Sequence, residues 1–426
     1  MKINVIDAPM GRGKTSAAIN MINESPDDIK YIYITPYKTE QDRIIKRCKV
    51  KNFVKPRDDE KIPKIIDLKI LLNKGENIVT THALFHLFDE EVIDLCYNQG
   101  YVLIMDEVTD VIEPFKLTRQ DRDILFEKYL DVREDGILTW RKGEEDYAGR
   151  FEDIKRLVAL ESLASYNGDI ILWLFPVEVF RAFRQSYILT YMFYAQMQCY
   201  YYDFYGMNYN YIYVAGDSIE TYHFTEEDPG NEIINFNYSK LIHIVDDPKL
   251  NRIGDSPSAL SKSWYERNHD NILMQQLKDN LESFFRTRKS LYKNGKFVKS
   301  SASHNLWTVF SDYEEEVRGR GYAYSHLAHN ARATNDYADR SVVAYCVNKY
   351  MHPSVKTFFV TNGINVDEDG YATSEMVQFI WRSSIRKGEH ITLYIPSYRM
   401  RKLLIDWINE NSSEPMETGE LLIRSM

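Results

Sequence analysis

Residues 3–15 read INVIDAPMGRGKT, a short apolar run followed by a glycine-rich turn. The apolar run Ile3–Asp7 predicts a buried strand, and a helix is expected from about Lys14. Ala8–Thr15 fits the spacing G-x-x-x-x-G-K-[ST], with Ala8 at the first glycine position. In such a loop successive backbone N–H groups point at one phosphate, and the helix that follows adds its positive dipole end.

The loop predicts a role for each of its polar positions. Gly11 and Gly13 permit the tight curvature that wraps a phosphate. The ammonium of Lys14 would reach the β- and γ-phosphates of a nucleotide, and the hydroxyl of Thr15 would bind Mg²⁺. ATP and Mg²⁺ are therefore the expected cofactors.

Further strands alternate with helices along the first hundred residues. Tyr31–Thr35, Ile78–Thr81 and Tyr101–Met105 are apolar runs of strand length, and Thr39–Arg47 reads as a helix. This alternation predicts an α/β fold with a parallel sheet wound by right-handed crossovers.

Two carboxylates follow the fourth strand. Tyr101–Met105 delivers Asp106 and Glu107 to the carboxyl edge of the sheet, where open parallel sheets bind their ligands. Asp106 would hold Mg²⁺ directly or through water, and Glu107 would orient and deprotonate the attacking water.

The chain is long enough for two domains, which we place at 1–206 and 207–426 of the 426 residues. Residues 110–169 interrupt the α/β rhythm and are predicted as an insertion with a hairpin at Gly136–Trp140. Ile170–Trp173 and Tyr187–Thr190 should then resume the strands. The second domain should carry a helical segment over 256–289, with Ser256 as its N-cap.

The charge and the cysteine content limit which binding sites the protein is expected to have. The formal net charge of −10 counts against a broad nucleic-acid-binding surface, although the run 286–299, RTRKSLYKNGKFVK, contains no acid. The four cysteines are far apart, so neither disulfides nor a thiolate zinc site is expected. No signal peptide or membrane span is expected either, which favours a cytoplasmic protein.

These residues resemble the motifs of superfamily 2 helicases of the DEAD/DEAH-like type. APMGRGKT looks like the first motif, and MDEV (Met105–Val108) matches the D-E-x-x box. TPYKTEQDR (Thr35–Arg43) and TTHALF (Thr80–Phe85) are similar to motifs that contact a nucleic-acid strand. Leu189-Thr190-Tyr191 stands where the family has S-A-T, so the role of Thr190 is not carried over.

The second half carries a further resemblance, to the family's Q-x-x-G-R-x-x-R helix. Gln378, Arg382 and Arg386 match it, with Trp381 where glycine is usual. A helix over Ser374–Arg386 would place the three side chains on one face at i, i+4 and i+8. The resemblance implies that these arginines stabilise charge on the γ-phosphate.

The resemblance implies two tandem RecA-like domains and an ATP-dependent helicase. Single-stranded or forked DNA is the expected partner, RNA less so because little chain precedes the loop for an adenine-reading glutamine motif. The motifs as a set are similar to those of helicases encoded by bacteriophages. This resemblance implies a location in the host cytoplasm and other replication proteins as partners. The expected strand contacts are Thr35, Pro36, Tyr37, Thr80, Thr81, His82 and Thr334.

Three alternatives stay open at this point. A packaging-type ATPase joined to a nuclease would need clustered carboxylates in the second half, where Asp367, Glu368 and Asp369 form one local group. An origin-binding or loading factor would use ATP as a switch. Translocation without strand separation is the third.

Overall fold

The computed structural model describes residues 2–57, 62–166, 168, 170–228, 237–331, 336–414 and 416. They form two compact units. The N-terminal unit comprises Met1–Asp228 and Met351–Asp367, and the C-terminal unit comprises Pro229–Tyr350 and Glu368–Met426. Within the described residues, no helix is both long and apolar enough to span a bilayer.

The first half of the N-terminal unit alternates strands and helices. Its elements are β1 (Lys2–Asp7), α1 (Lys14–Glu24), β2 (Tyr31–Thr35), α2 (Lys38–Arg47), β3 (Phe53–Val54), α3 (Lys64–Asn73), β4 (Asn77–Thr81), α4 (His82–Phe85), α5 (Glu90–Gln99) and β5 (Val102–Asp106). The predicted strands and helices of this region are confirmed.

The second half of the unit contains the insertion and the return to the main sheet. Its elements are β6 (Ile112–Pro114), α6 (Arg119–Lys128), β7 (Leu130–Val132), β8 (Leu138–Trp140), α7 (Glu152–Ala159), β9 (Leu163–Tyr166), β10 (Ile170–Leu174), α8 (Val177–Arg181), β11 (Gln185–Thr190), α9 (Met197–Phe204), β12 (Tyr209–Ala215) and β13 (His223–Thr225).

The main sheet has eight strands in the order β13-β12-β1-β11-β5-β2-β4-β3. Every neighbouring pair is parallel except β12 with β13, which is antiparallel. Val102, Leu103, Ile104 and Met105 of β5 are buried on both faces, as a central strand covered by helices requires. β11 lies between β1 and β5, so the predicted loop and the predicted acid pair sit two strands apart.

The insertion is a separate small layer, and its last strand lies beyond the expected bounds of residues 110–169. The strand expected over Ile170–Trp173 is present as β10, but it belongs to this layer, because it pairs antiparallel with β9 and with β6. The predicted hairpin is present as β7 and β8. A core around Leu125, Leu138 and Ile171 holds this layer, so β10 buries its apolar face there instead.

The C-terminal unit is built on a four-stranded parallel sheet in the order β14-β19-β18-β17. In chain order the elements after β13 are α10 (Tyr238–Leu241), β14 (Ile242–Ile244), α11 (Pro248–Asn251), α12 (Lys262–Asn268), α13 (Ile272–Glu282), β15 (Leu291–Lys293), β16 (Lys296–Val298), β17 (Asn305–Thr308), α14 (Glu314–Val317), β18 (Val342–Tyr345), α15 (Pro353–Thr361), α16 (Glu368–Ile380), β19 (Ile391–Tyr394) and α17 (Tyr398–Glu410). The predicted α/β fold, with RecA-like lobes and an insertion in the first, is confirmed.

The helical segment expected over 256–289 is real but begins later. Ser256 is not its N-cap, because α12 starts at Lys262. The hydroxyl of Ser261 instead accepts the N–H of Trp264 at 3.3 Å and caps α12.

The division of the chain differs from the expected boundary at 206. β12 pairs with β1 in register from Ile3 with Tyr209, so the N-terminal unit extends to Asp228. α15 also belongs to this unit. Its Phe358 ring lies 4.9 Å from the ring of Phe204, and Tyr200 donates its hydroxyl to the Asp367 carbonyl at 3.3 Å.

Candidate active site

The glycine-rich loop connects β1 to α1 and has the backbone geometry that a phosphate-wrapping turn requires. Gly11 and Gly13 have φ of +82° and +76°, in the left-handed region that favours glycine. The ammonium of Lys14 donates to the carbonyl oxygens of Ala8 and Pro9, the latter at 3.2 Å. The lysine therefore lies folded over the loop that would hold the phosphates.

Thr15 and Asp106 meet beside this loop. The hydroxyl of Thr15, on the first turn of α1, donates to the Oδ2 atom of Asp106 at 3.3 Å. Asp106 ends β5, so the contact joins a helix and a strand that lie 91 residues apart in the chain. A hydroxyl and a carboxylate are oxygen donors of the kind Mg²⁺ prefers, so the residues present fit this ion.

The electrostatics of the site centre on Asp106. Burial, and then the charge of neighbouring Glu107, raise the pKa of Asp106 to about 7, while Lys14 acts in the opposite direction. Asp7, at the end of β1, also has a raised pKa because of burial. A cation placed here would favour the ionised form of both carboxyls.

Glu107 has an unusual backbone. Its φ is +69°, although it is not a glycine, and its N–H donates to the Leu189 carbonyl at 2.9 Å. Holding a glutamate in this region costs on the order of 1 kcal/mol. Its buried Oε2 atom has no hydrogen-bond partner among the described residues. A strained residue with an unsatisfied carboxylate oxygen suits a base that acts on a molecule not present here.

The predicted strand contacts follow β2 and β4 at the same edge of the sheet. The side chains of Thr35 and Thr80 are buried, and the Thr35 hydroxyl donates to the Tyr37 carbonyl at 3.0 Å. The surface at the end of β2 is therefore provided by Pro36 and Tyr37, of which Tyr37 is exposed.

The predicted strand contacts at the end of β4 are Thr81 and His82, and His82 contacts the backbone of Asp106. Thr81 caps α4, and its hydroxyl accepts the Leu84 N–H at 3.4 Å. The Nε2 atom of His82 lies 3.0 Å from the backbone carbonyl oxygen of Asp106. The last predicted contact, Thr334, lies outside the described residues.

The predicted helix over Ser374–Arg386 was wrong in its bounds. α16 ends at Ile380, so Gln378 is helical, Arg382 lies in the turn that follows, and Arg386 lies in a 3₁₀ turn. The hydroxyl of Ser383 donates to the Ile380 carbonyl at 2.6 Å and closes the helix end. The three side chains therefore do not share one helical face.

Burial differs between the two arginines. Arg382 is buried, whereas Arg386 is exposed. Trp381, where the helicase motif has glycine, packs its ring 5.1 Å from Tyr238 and 5.2 Å from Trp407. This buried tryptophan fixes the turn in which Arg382 sits.

Sequence reasoning missed Tyr222, which lies against the phosphate-binding loop. A methyl group built on Gly13 would stand 2.5 Å from ring carbons of Tyr222. The sequence does indicate a strand, β12, followed by the turn Gly216-Asp217-Ser218. The pairing of β12 with β1, which brings Tyr222 to the loop, is a long-range contact that no local pattern reveals.

Two family models match the chain. One, described as the YonV middle domain, matches residues 112–173, which are the insertion, and another, described as the YonV C-terminal Rossmann-like domain, matches residues 236–408. The chain is also 36% identical over 420 residues to the "SPbeta prophage-derived uncharacterized protein YonV" of Bacillus subtilis strain 168. That match covers 96% of this chain and 98% of the relative.

Solved structures give weaker likenesses. The structure of S. tokodaii Xpd4 matches with a TM-score of 0.39 and 10% identity, over 95% of this chain and 94% of that one. The crystal structure of the DUF1998 helicase MrfA bound to DNA matches with a TM-score of 0.32 and 8% identity, over 97% of this chain and 47% of that one. TM-scores below 0.5 do not establish a shared fold.

Proposed function

The chain belongs to the YonV family, and we propose that it is an ATP-dependent helicase or translocase acting on DNA. The prophage origin of its relative supports a phage setting, in which the protein would work in the host cytoplasm. Single-stranded or forked DNA is the proposed partner, alongside other replication proteins, and RNA is the less favoured substrate.

One observation carries the proposal. Lys14, Thr15 and Asp106 converge at the carboxyl edge of the main sheet, with the Thr15 hydroxyl 3.3 Å from the Asp106 carboxylate. Phosphate-loop ATPases need a loop that wraps the phosphates, a lysine that binds them, and a hydroxyl and a carboxylate that hold the metal ion. A chance match to the loop pattern would not place an acid from a strand two positions away in the sheet beside the threonine.

The proposed roles follow from the chemistry of each group. Thr15 and Asp106 would hold Mg²⁺, which would neutralise charge on the β- and γ-phosphates. Lys14 would release its loop carbonyls and donate to the same phosphates. Glu107 would accept a proton from the attacking water, since its buried oxygen is otherwise unsatisfied.

A contact within the N-terminal unit supports coupling of ATP chemistry to a bound strand. His82 binds the backbone of Asp106, and Thr81 caps the helix that begins at His82. A movement of Asp106 on metal binding would therefore shift Thr81 and His82. These two residues, together with Pro36 and Tyr37, are proposed to contact nucleic acid.

The helicase resemblance extends the proposal to the C-terminal unit. We assign Gln378, Arg382 and Arg386 to stabilisation of charge on the γ-phosphate during hydrolysis. Resemblance to superfamily 2 supports this assignment, and kinetics of substituted proteins test it.

The nuclease alternative has little support from the described residues. Asp369 is paired with Arg399 at 2.6 Å, which leaves the expected local acid group partly neutralised. An ATPase assay with single-stranded DNA, duplex DNA and RNA as stimulants tests the proposed function, and an unwinding assay on forked DNA separates helicase from translocase. Nicking of plasmid DNA with Mg²⁺ or Mn²⁺ would favour the nuclease instead.

A further inference from the structure

The loop between β12 and β13, residues Gly216–Tyr222, lies beside the phosphate-binding loop. β12 is the neighbour of β1 on the side opposite to β11. Because β12 runs parallel to β1, both strands deliver their following loops to the same edge of the sheet. The β12–β13 loop therefore flanks the phosphate-binding loop on the side away from Asp106.

The ring of Tyr222 packs on the backbone of Gly13. A methyl group there would lie 2.5 Å from the Cγ and Cδ2 atoms of the ring, so only glycine allows this approach. Tyr222 is half-buried, and it packs at the margin of the core that β1 and α1 share. Part of its ring thus stays accessible next to the loop.

The β12–β13 loop is held firmly in place. Asn20 of α1 donates its amide N–H groups to the carbonyls of Ile219 at 3.0 Å and Tyr222 at 2.9 Å. Inside the loop the Thr221 hydroxyl oxygen accepts the N–H groups of Asp217 at 3.1 Å and of Ser218 at 3.0 Å. Such bonds fix a turn, so Tyr222 has a defined position before any ligand arrives.

The orientation of a nucleotide in the site follows from its metal end. Thr15 and Asp106 mark where Mg²⁺ and the β- and γ-phosphates would bind, on the β5 side of the loop. The α-phosphate and the nucleoside must then leave the loop on the other side, toward β12. The exposed carboxylates of Asp217 and Glu220 suit ribose hydroxyls and not phosphates, which matches that end of the ligand.

We propose that the β12–β13 loop is the nucleoside half of the nucleotide site, with the Tyr222 ring as the surface against which the base stacks. This proposal rests on the proposed function, since it presupposes that the phosphates occupy the Gly11–Thr15 turn. Stacking on a ring face requires no particular hydrogen-bond pattern, so Tyr222 recognises a base without selecting strongly among bases.

The test compares binding of ATP with binding of inorganic tripolyphosphate, both with Mg²⁺, to the full-length chain. Tyr222→Ala should weaken ATP binding about tenfold, which is the lower range for loss of one stacked base, and leave tripolyphosphate binding unchanged. Tyr222→Phe should bind ATP like the wild type. Tyr222→Leu keeps an apolar group against Gly13 and should behave like Tyr222→Ala. Tyr97→Ala, an exposed tyrosine on α5, is the matched control.

Two results would overturn the nucleoside assignment. If Tyr222→Leu lost ATP and tripolyphosphate binding equally, the ring would only support the phosphate-binding loop. If Tyr222→Ala bound ATP as well as the wild type, the ring would have no role in nucleotide binding. Failure of the proposed function looks different, because ATP and tripolyphosphate binding would then survive Lys14→Ala.

Discussion

The hydroxyl of Thr15 lies 3.3 Å from the carboxylate of Asp106, although 91 residues separate them in the chain. The contact exists because β11 lies between β1 and β5 and sets the spacing at the carboxyl edge of the sheet. It joins the residue that follows Lys14 to the residue that precedes Glu107. The candidate site is therefore assembled by sheet topology and not by local sequence.

Substitution Asp106→Asn should stabilise the ligand-free protein at neutral pH. The pKa of Asp106 rises from 3.8 to about 7 on folding, so between these values the folded chain keeps a proton that the unfolded chain has lost. The wild-type free energy of unfolding should therefore fall as pH rises through this window, and the asparagine variant lacks that loss.

Denaturant unfolding between pH 4 and pH 8 measures this effect. The stability advantage of Asp106→Asn over the wild type should grow by roughly 1–3 kcal/mol from pH 4 to pH 7 and then level off. Asp94→Asn, at an exposed position on α5, is the control. An advantage independent of pH would contradict the burial of an ionisable Asp106 carboxyl.

Substitution Glu107→Gln should separate binding from turnover. The amide keeps the size of the side chain but cannot accept a proton, so ATP affinity should stay within about twofold while turnover falls at least ~100-fold. Single-turnover hydrolysis together with an ATP-binding titration measures both quantities. Glu113→Gln, at an exposed position on β6, should leave both unchanged, and equal turnover in the two variants would exclude Glu107 as the base.

Substitution Phe358→Ala should destabilise the N-terminal unit. Phe358 is buried, packs its ring against Phe204 and comes from α15, which returns to this unit from the second half of the chain. Removing a buried phenyl ring costs about 3–5 kcal/mol. Val360→Ala on the same helix is 52% exposed and should cost less than about 1 kcal/mol. Equal effects on the unfolding midpoint would contradict the packing of α15.

Substitution Arg386→Ala should reduce turnover more than ATP binding. An arginine that stabilises charge in hydrolysis contributes mainly in the transition state, so we expect turnover at least ~100-fold lower with ATP affinity within about twofold. Arg382 is buried, so the milder Arg382→Lys is the matching variant there. Lys387→Ala is the control beside it. Parallel loss of binding and turnover would argue against the assigned role.

The local signals predicted much of the fold. The strands β1, β2 and β5 lie within one residue of their expected bounds, because each strand is buried on both faces and turn-forming residues mark its end. The strand β10 was also predicted, but its place in the insertion was not, because an apolar run of five residues looks the same in a parallel sheet and in an antiparallel one.

The candidate site was predicted only in part. Lys14, Thr15 and Asp106 follow local patterns and do converge, whereas the end of α16 depends on the Ser383 hydroxyl and on the packing of Trp381. Tyr222 could not be found from its neighbours in sequence. Its place beside Gly13 results from the pairing of β12 with β1, which is decided by tertiary packing.

The most direct measurement is the rate of ATP hydrolysis by the wild type and Lys14→Ala, with and without single-stranded DNA. Wild-type protein should hydrolyse ATP with Mg²⁺ several times faster when the DNA is present, and Lys14→Ala should fall to about 1% of that rate or less. Lys74→Ala, an exposed lysine after α3, should match the wild type. DNA-stimulated hydrolysis that persists in Lys14→Ala would contradict the assignment of this loop as the ATP site.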